Sequence, residues 1–162
     1  MFRNLGIALL AVLLTGCASS DNAANQFSAN DLMFASMMVP HHEQAIVMSE
    51  LALKNSKNPE ILELATEIKN AQAPEIAEMK SWGDLDMGSH AGHGMKGMLS
   101  DAEINKLAVA TGPNFDQLFV EGMIKHHQGA LEMAEDVANS RNPKVSALAN
   151  QIIAEQKRRL SS

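Results

Sequence analysis

Imidazole nitrogen and thioether sulfur are concentrated at three places in this chain. Met38-x2-His41-His42-x5-Met48 recurs as Met123-x2-His126-His127-x5-Met133, and between them lies a stretch with Met87, His90, His93, Met95 and Met98. All six histidines and seven of the eleven methionines fall there. Neutral nitrogen and thioether donors are the ligands that soft or borderline ions prefer, Cu(I) above all, with Ag(I) similarly soft. The expected primary ligands are Met38, His41, Met48 and their counterparts Met123, His126 and Met133. His42 and His127 are expected as further ligands or as hydrogen-bonding partners of ligands.

A helix advances about 100° per residue. Measured from Met38, His41 and Met48 then fall near about 300° and 280°, with Ala45 near about 340° and His42 near about 40°. Each repeat therefore lays its set along one stripe. A methionine on such a face usually fills core space, and a lone histidine there usually hydrogen-bonds within the core. Packing asks for volume, however, and does not call for paired imidazoles at identical spacing in both halves.

These stripes need helices to carry them. Setting His41 on His126 aligns Ala45 with Ala130 and Glu50 with Glu135. After a one-residue offset, Asn58-Pro59 aligns with Asn142-Pro143, Leu64-Ala65 with Leu148-Ala149, and Gln72 with Gln156. Each unit reads as helix, short turn, helix. Ser28-x-x-Asp31 and Ser100-x-x-Glu103 are capping-box starts, and both Asn-Pro pairs place a capping side chain before a proline at the first helical position. Ser100 opens a short extra helix ending near Ala110, and Gly112-Pro113 opens the third long helix. Apolar spacing is helical throughout, so the fold class is all-α, an antiparallel four-helix bundle of two helix-hairpin repeats. In an up-down bundle the two histidine helices are diagonal partners, able to build one shared site or two separate ones. Pro40 is expected to kink the first helix beside His41, and Gly122 and Gly129 to loosen the third.

The domain plan follows. Residues 1–16 read as a lipoprotein signal peptide, with a basic start, an apolar run from Leu5 to Leu14 too short to span a bilayer, and Leu14-Thr15-Gly16-Cys17 resembling a lipobox. Cys17 is then the lipidation site and the membrane contact, and 17–29 is a flexible polar tether. Residues 30–162 form the bundle domain, with repeat one at 30–82, a Met/His loop at 83–99 and repeat two at 100–160. The loop holds five glycines and no apolar periodicity. It reads as a segment that captures ions and hands them inward, not as a rigid site. One cysteine excludes an intrachain disulfide and a multi-thiolate zinc site. Without the signal peptide the chain carries 12 basic and 19 acidic residues, a formal charge of −7, which argues against nucleic acid as a partner.

Several catalytic patterns are missing. No glutamate stands three residues before a histidine as di-iron bundles require, and neither His-Glu-x-x-His nor a serine nucleophile elbow occurs. Carboxylates at Glu43, Glu121, Glu132 and Glu135 lie near the clusters in sequence and keep harder ions open.

The doubled His-His pattern, Phe115-Asp116-x2-Phe119 before the second copy, and Gln72-x2-Glu75-Ile76-x2-Met79 together resemble the bacterial "domain of unknown function 305" family over nearly all of residues 30–160. That resemblance implies a ferritin-like four-helix bundle and an exported or periplasmic protein, with copper binding and tolerance attributed to some members. Repeat two departs from the pattern with Gln156-Lys157-Arg158-Arg159-Leu160. The expected function is a lipid-anchored periplasmic copper-binding protein that sequesters or delivers Cu(I), on the outer membrane if the host has one, with other periplasmic copper-handling proteins as partners. The alternatives are a metal-dependent oxidoreductase, for instance one oxidising Cu(I), and a metal-free interaction module.

Overall fold

The computed structural model describes residues 26–86 and 95–161. The signal peptide, Cys17, most of the tether, and the loop residues Met87, His90 and His93 lie outside the described residues. Five helices follow in order: α1 (Ala29–Asn55), α2 (Pro59–Lys80), α3 (Asp101–Val109), α4 (Gly112–Glu135) and α5 (Pro143–Leu160). No described residue is in a strand, and none of these helices is long and apolar enough to cross a membrane.

The caps read from the sequence form as expected. Ser28 and Asp31 close a capping box on α1, as Ser100 and Glu103 do on α3. Asn58 and Asn142 accept from the amides of Glu60 and Lys144, both at 3.0 Å, and so satisfy one orphan donor at each helix start. Thr111 precedes α4 without a side-chain cap bond. The helix assignment of α1 runs unbroken through Pro40.

Helix order differs from the up-down expectation. α1 packs on α2, α4 packs on α5, and α1 packs directly on α4, so the histidine helices are neighbours and not diagonal partners. They are also antiparallel. Ser56, just past the end of α1, donates to Asp116 in the first turns of α4 at 2.5 Å, while Ser140, past the end of α4, donates to Asp31 at the start of α1 at 2.7 Å. The long connection through residues 83–111 is therefore a crossover that carries the chain to the start of α4, one of the two ways a four-helix bundle is closed. The two hydrogen bonds exchange equivalent residues of the two repeats, so an approximate twofold relates the repeats.

The apolar interior is divided. One cluster holds Phe34, Met38, Val39, Ile76, Met79, Trp82, Ala130, Met133 and the buried face of α5. The other holds Ala45, Met48, Ile61, Ile68, Leu107, Phe115, Phe119 and Met123. His41, His42, His126 and His127 fall between the two along α1 and α4, with Gln72 and Glu75 at the matching level of α2.

Candidate metal centre

All four helical histidines are buried, with residue exposures of 0% for His41, His42 and His126 and 3% for His127. His41 and His126, equivalent in the two repeats, meet across the α1–α4 contact with ring centroids 3.7 Å apart and planes tilted by 37°. His42 lies 6.3 Å from His41, and His127 lies 6.2 Å from His126, so the rings follow one another as a bent row whose end members, His42 and His127, remain within electrostatic reach of each other.

Each ring has one nitrogen committed to an oxygen. His126 Nε2 donates to the His41 carbonyl at 2.8 Å, and His41 Nε2 to the Lys96 carbonyl at 3.0 Å. His127 Nδ1 donates to the Met123 carbonyl at 2.7 Å, and His42 Nε2 to Glu75 Oε2 at 3.0 Å. A carbonyl or carboxylate oxygen can only accept, so these contacts set which nitrogen carries the proton. The other nitrogens are His41 Nδ1, His42 Nδ1, His126 Nδ1 and His127 Nε2. All four are buried and have no hydrogen-bond partner among the described residues. One tethered nitrogen with the other left as a lone pair is how a metal-binding histidine is held.

His41, His126 and His127 are also held neutral. Burial pushes His126 down to about 3, helped by its histidine neighbours and opposed by the bond to the His41 carbonyl. Burial likewise lowers His127 to about 4, opposed by the Met123 carbonyl and helped by Arg159 and by the charge His42 would carry. His41 falls well below its ordinary value through burial and the charges His126 and His42 would carry. A neutral imidazole is the form that binds a metal.

The Lys96 carbonyl reaches His41 because two glycines let backbones meet. A Cβ on Gly129 would collide with the Lys96 carbonyl, and one on Gly97, at φ +81°, would lie 2.6 Å from the Lys125 carbonyl. Gln44 fixes the same segment by donating to the Leu99 carbonyl at 2.9 Å and accepting from its amide at 2.8 Å. Gly129 thus serves close approach and not the loosening expected from the sequence. Gly122 does the same, since its Cβ would sit 2.9 Å from Met48 Cε. The 83–99 loop is therefore docked at its far end. Met95 and Met98, both partly buried, flank the docked Lys96-Gly97 turn, closed by the Met98 amide donating to the Met95 carbonyl at 3.2 Å.

The four helical methionines are partnered across repeats. Met38 shares a cluster with Met133 and Met79, and Met48 shares the other with Met123. A stripe of one repeat therefore spans both clusters, and each side of the histidine row receives thioethers from both repeats. The carboxylates named from the sequence point elsewhere: Glu43 pairs with Lys80, Glu132 with Lys96 and Glu135 with Lys157 at the surface, and exposed Glu121 accepts from Gln117. Glu75, 3% exposed, is the carboxylate that reaches the row. The sequence reading had placed it in a motif without giving it a partner. Gln72 and Gln156, aligned between the repeats but given no role by the sequence, are 0% and 1% exposed. Both Gln72 amide atoms and Gln156 Oε1 lack partners among the described residues. A polar residue recurring at one register on two apolar faces was the available signal.

Among the described residues no three His, Cys, Asp or Glu side chains are grouped as a metal site. Nitrogen and carboxylate alone do not complete one here, whereas nitrogen with neighbouring thioethers fits a soft ion. One side of the row is open. A cleft of about 500 Å³ between α2, α4 and α5 is lined by Leu64, Ile68, Met123, Ile124, His127 and Arg159, among others.

Fold and site together define a doubled helix-hairpin bundle built around a buried imidazole row. The chain belongs to the family described as "Domain of unknown function (DUF305)", whose model matches residues 31–162. Its fold is that of a DUF305 fragment from Deinococcus radiodurans, at TM-score 0.74 and 28% identity, over 84% of this chain and 93% of that one. CopM in its Cu(II)-bound form matches at TM-score 0.70 and 37% identity, over 81% and 90% of the two chains. CopM in its Cu(I)-bound form matches at TM-score 0.65 and 36% identity, over the same shares. An uncharacterized protein of Acanthamoeba polyphaga mimivirus is 42% identical over 52 residues, which are 32% of this chain and 34% of that protein. The aligned stretch thus spans about a third of that relative's length.

Proposed function

We propose that this protein binds copper, with Cu(I) and Ag(I) as the ions its donor set fits best, and that it sequesters or delivers them outside the cytoplasm from a lipid anchor at Cys17. The observation that carries the reading is the row of four buried histidines, each with one nitrogen tied to oxygen and the other left without a partner among the described residues. An apolar core has no use for four unsatisfied imidazole nitrogens, because each costs about 1–3 kcal/mol if left unpaired. His41, His42, His126 and His127 supply nitrogen, while Met38, Met133, Met48 and Met123 supply sulfur from the two flanking clusters. The loop residues Met87, His90, His93, Met95 and Met98 capture ions for transfer. CopM has Cu(I)-, Cu(II)- and Ag-bound forms and shares this fold. Export is supported by the leader-like first 16 residues, and by a DUF305 protein from Streptomyces coelicolor, described as a candidate secreted protein, which this chain matches at TM-score 0.76 and 29% identity over 82% of this chain and 86% of that one. The ion is cargo, and the protein's work is to keep it dry, coordinated and out of reach of oxygen and thiols.

The test is a competition titration of the protein against a Cu(I) chelator, alongside the double variant His41→Ala/His126→Ala. Sub-micromolar binding that is lost in the double variant supports the reading. Binding weaker than micromolar in the wild type, or unchanged in the variant, overturns it.

A further inference from the structure

The approximate twofold fails at one buried position. Carrying Gln72 onto Gln156 carries Glu75 onto Arg159, so the residue behind His42 is an anion where its counterpart beside His127 is a cation. Both are sequestered: Glu75 is 3% exposed, and the Arg159 side chain is 5% exposed. Glu75 Oε2 takes the His42 Nε2 proton at 3.0 Å, and Gln151 Nε2 donates to its other oxygen at 3.4 Å. Arg159 donates to Glu155 Oε2 at 2.8 Å, lines the cleft with His127 and Met123, and adds its positive charge to the surroundings of that ring. His127 instead ties its Nδ1 to a neutral carbonyl.

We infer that the histidine row is two unequal half-sites distinguished by charge, with Glu75 making the His42 half selective for the more highly charged ion, Cu(II), and the Arg159-flanked His127 half suited to the monovalent ion. The inference rests on the metal-binding reading above. A fixed charge acts on an ion in proportion to the ion's charge, so a buried carboxylate favours a divalent ion twice as strongly as a monovalent one. A carboxylate behind a ligating imidazole also raises its basicity, which benefits the harder ion more. An arginine in the same place does the reverse, though Glu155 offsets part of its charge. Glu75 here is a specificity-determining residue that acts through His42.

Glu75→Gln separates charge from geometry, because the amide oxygen can still accept the His42 proton. Cu(II) affinity is measured by competition and by electron paramagnetic resonance of the bound ion, and Cu(I) affinity by a Cu(I) chelator. Glu75→Gln is expected to weaken Cu(II) binding by about tenfold or more while Cu(I) binding stays within about threefold. Arg159→Gln is expected to strengthen Cu(II) binding, with an additional Cu(II) signal from the His127 half, and it provides an independent reading if Glu75→Gln fails to fold by circular dichroism. Equal weakening of both ions in Glu75→Gln, or no change in either variant, overturns the inference while leaving the metal reading intact. A wild-type protein that binds neither ion overturns both.

Discussion

His41 and His126, one from each repeat, meet with ring centroids 3.7 Å apart and planes tilted by 37°, and Nε2 of His126 donates to the carbonyl of His41 itself. Two imidazolium rings do not share such a contact, so the native state excludes protons from His41 and His126. The folded values of about 3 for His126 and about 4 for His127 lie below the ordinary 6.5. Between those limits the unfolded chain binds more protons than the folded one, so stability must fall as pH falls from about 6.5 to about 4. Each of these histidines contributes a slope of about 1.4 kcal/mol per pH unit across that window. Urea denaturation of the metal-free protein at a series of pH values measures it. A flat profile from pH 7 to 4.5 would contradict buried, neutral His126 and His127.

The exchanged serine–aspartate bonds tie each repeat's turn to the other repeat's histidine helix. At Asp31, burial would raise the carboxyl's pKa, but hydrogen bonds from Ser140 and Ser28 hold it below the usual range. Ser140→Ala leaves that buried carboxylate short of a donor and is expected to cost about 1–3 kcal/mol. Ser56→Ala, which frees Asp116, is expected to cost a similar amount. Because the two bonds sit at opposite ends of the α1–α4 contact, the losses should add within about 0.5 kcal/mol in the double variant. Denaturant midpoints of the four proteins check both the size and the additivity.

Gly129 and Gly122 face different neighbours, and alanine should distinguish them. At Gly129 the obstacle is the backbone of Lys96 and Gly97, which cannot move without releasing the bond to His41. At Gly122 it is the end of Met48 and the tip of Leu99, which can rotate away. Gly129→Ala is expected to destabilise by about 2–3 kcal/mol and to free the His41 ring, and Gly122→Ala by less than about 1 kcal/mol. Thermal melts give the ranking, and imidazole nitrogen chemical shifts report whether His41 keeps its proton on Nε2.

Those two glycines mark where the sequence stopped being readable. Helix starts were legible because Ser28, Asn58, Ser100 and Asn142 act within three residues of themselves, through local backbone geometry. The histidine pairs were legible because their spacing recurs. The Lys96 carbonyl was not, since a backbone acceptor has no residue type to announce it and depends on a loop folding over a helix 30 residues further on. The pairing of Met38 with Met133, against Met48 with Met123, was hidden for another reason. It depends on α1 and α4 running antiparallel, and one repeat's helical stripe looks the same whichever way its neighbour runs. Glu75 was visible as a motif residue, but only the α1–α2 packing puts it opposite His42.

Metal removal should be visible in stability as well as in spectra. An ion that binds only the folded state adds about 2.7 kcal/mol when its free concentration is 100 times Kd. Addition of Cu(I) under reducing, oxygen-free conditions is therefore expected to raise the thermal midpoint, and a competing chelator to restore the metal-free value. The same ion should give no such rise in the His41→Ala/His126→Ala variant, since unfolded-state binding to scattered methionines does not stabilise the fold.

The two ends of the histidine row meet solvent differently, which bears on how an ion gets in. His42 and Met38 are both 0% exposed, with Met79 and Trp82 packed in the cluster beside them. His127 and Met123 are each 3% exposed and line the cleft between α2, α4 and α5. Leu64 and Ile124 line that cleft and carry no donor atom of their own. Leu64→Trp or Ile124→Trp should narrow the entrance without touching a donor. The expected result is uptake slowed by about tenfold or more in stopped-flow mixing, with release slowed in proportion and Kd unchanged within about threefold, because a barrier on the path alters both rates alike. Unchanged rates in both variants would place the route on the other side of the bundle, at the docked end of the Met/His loop.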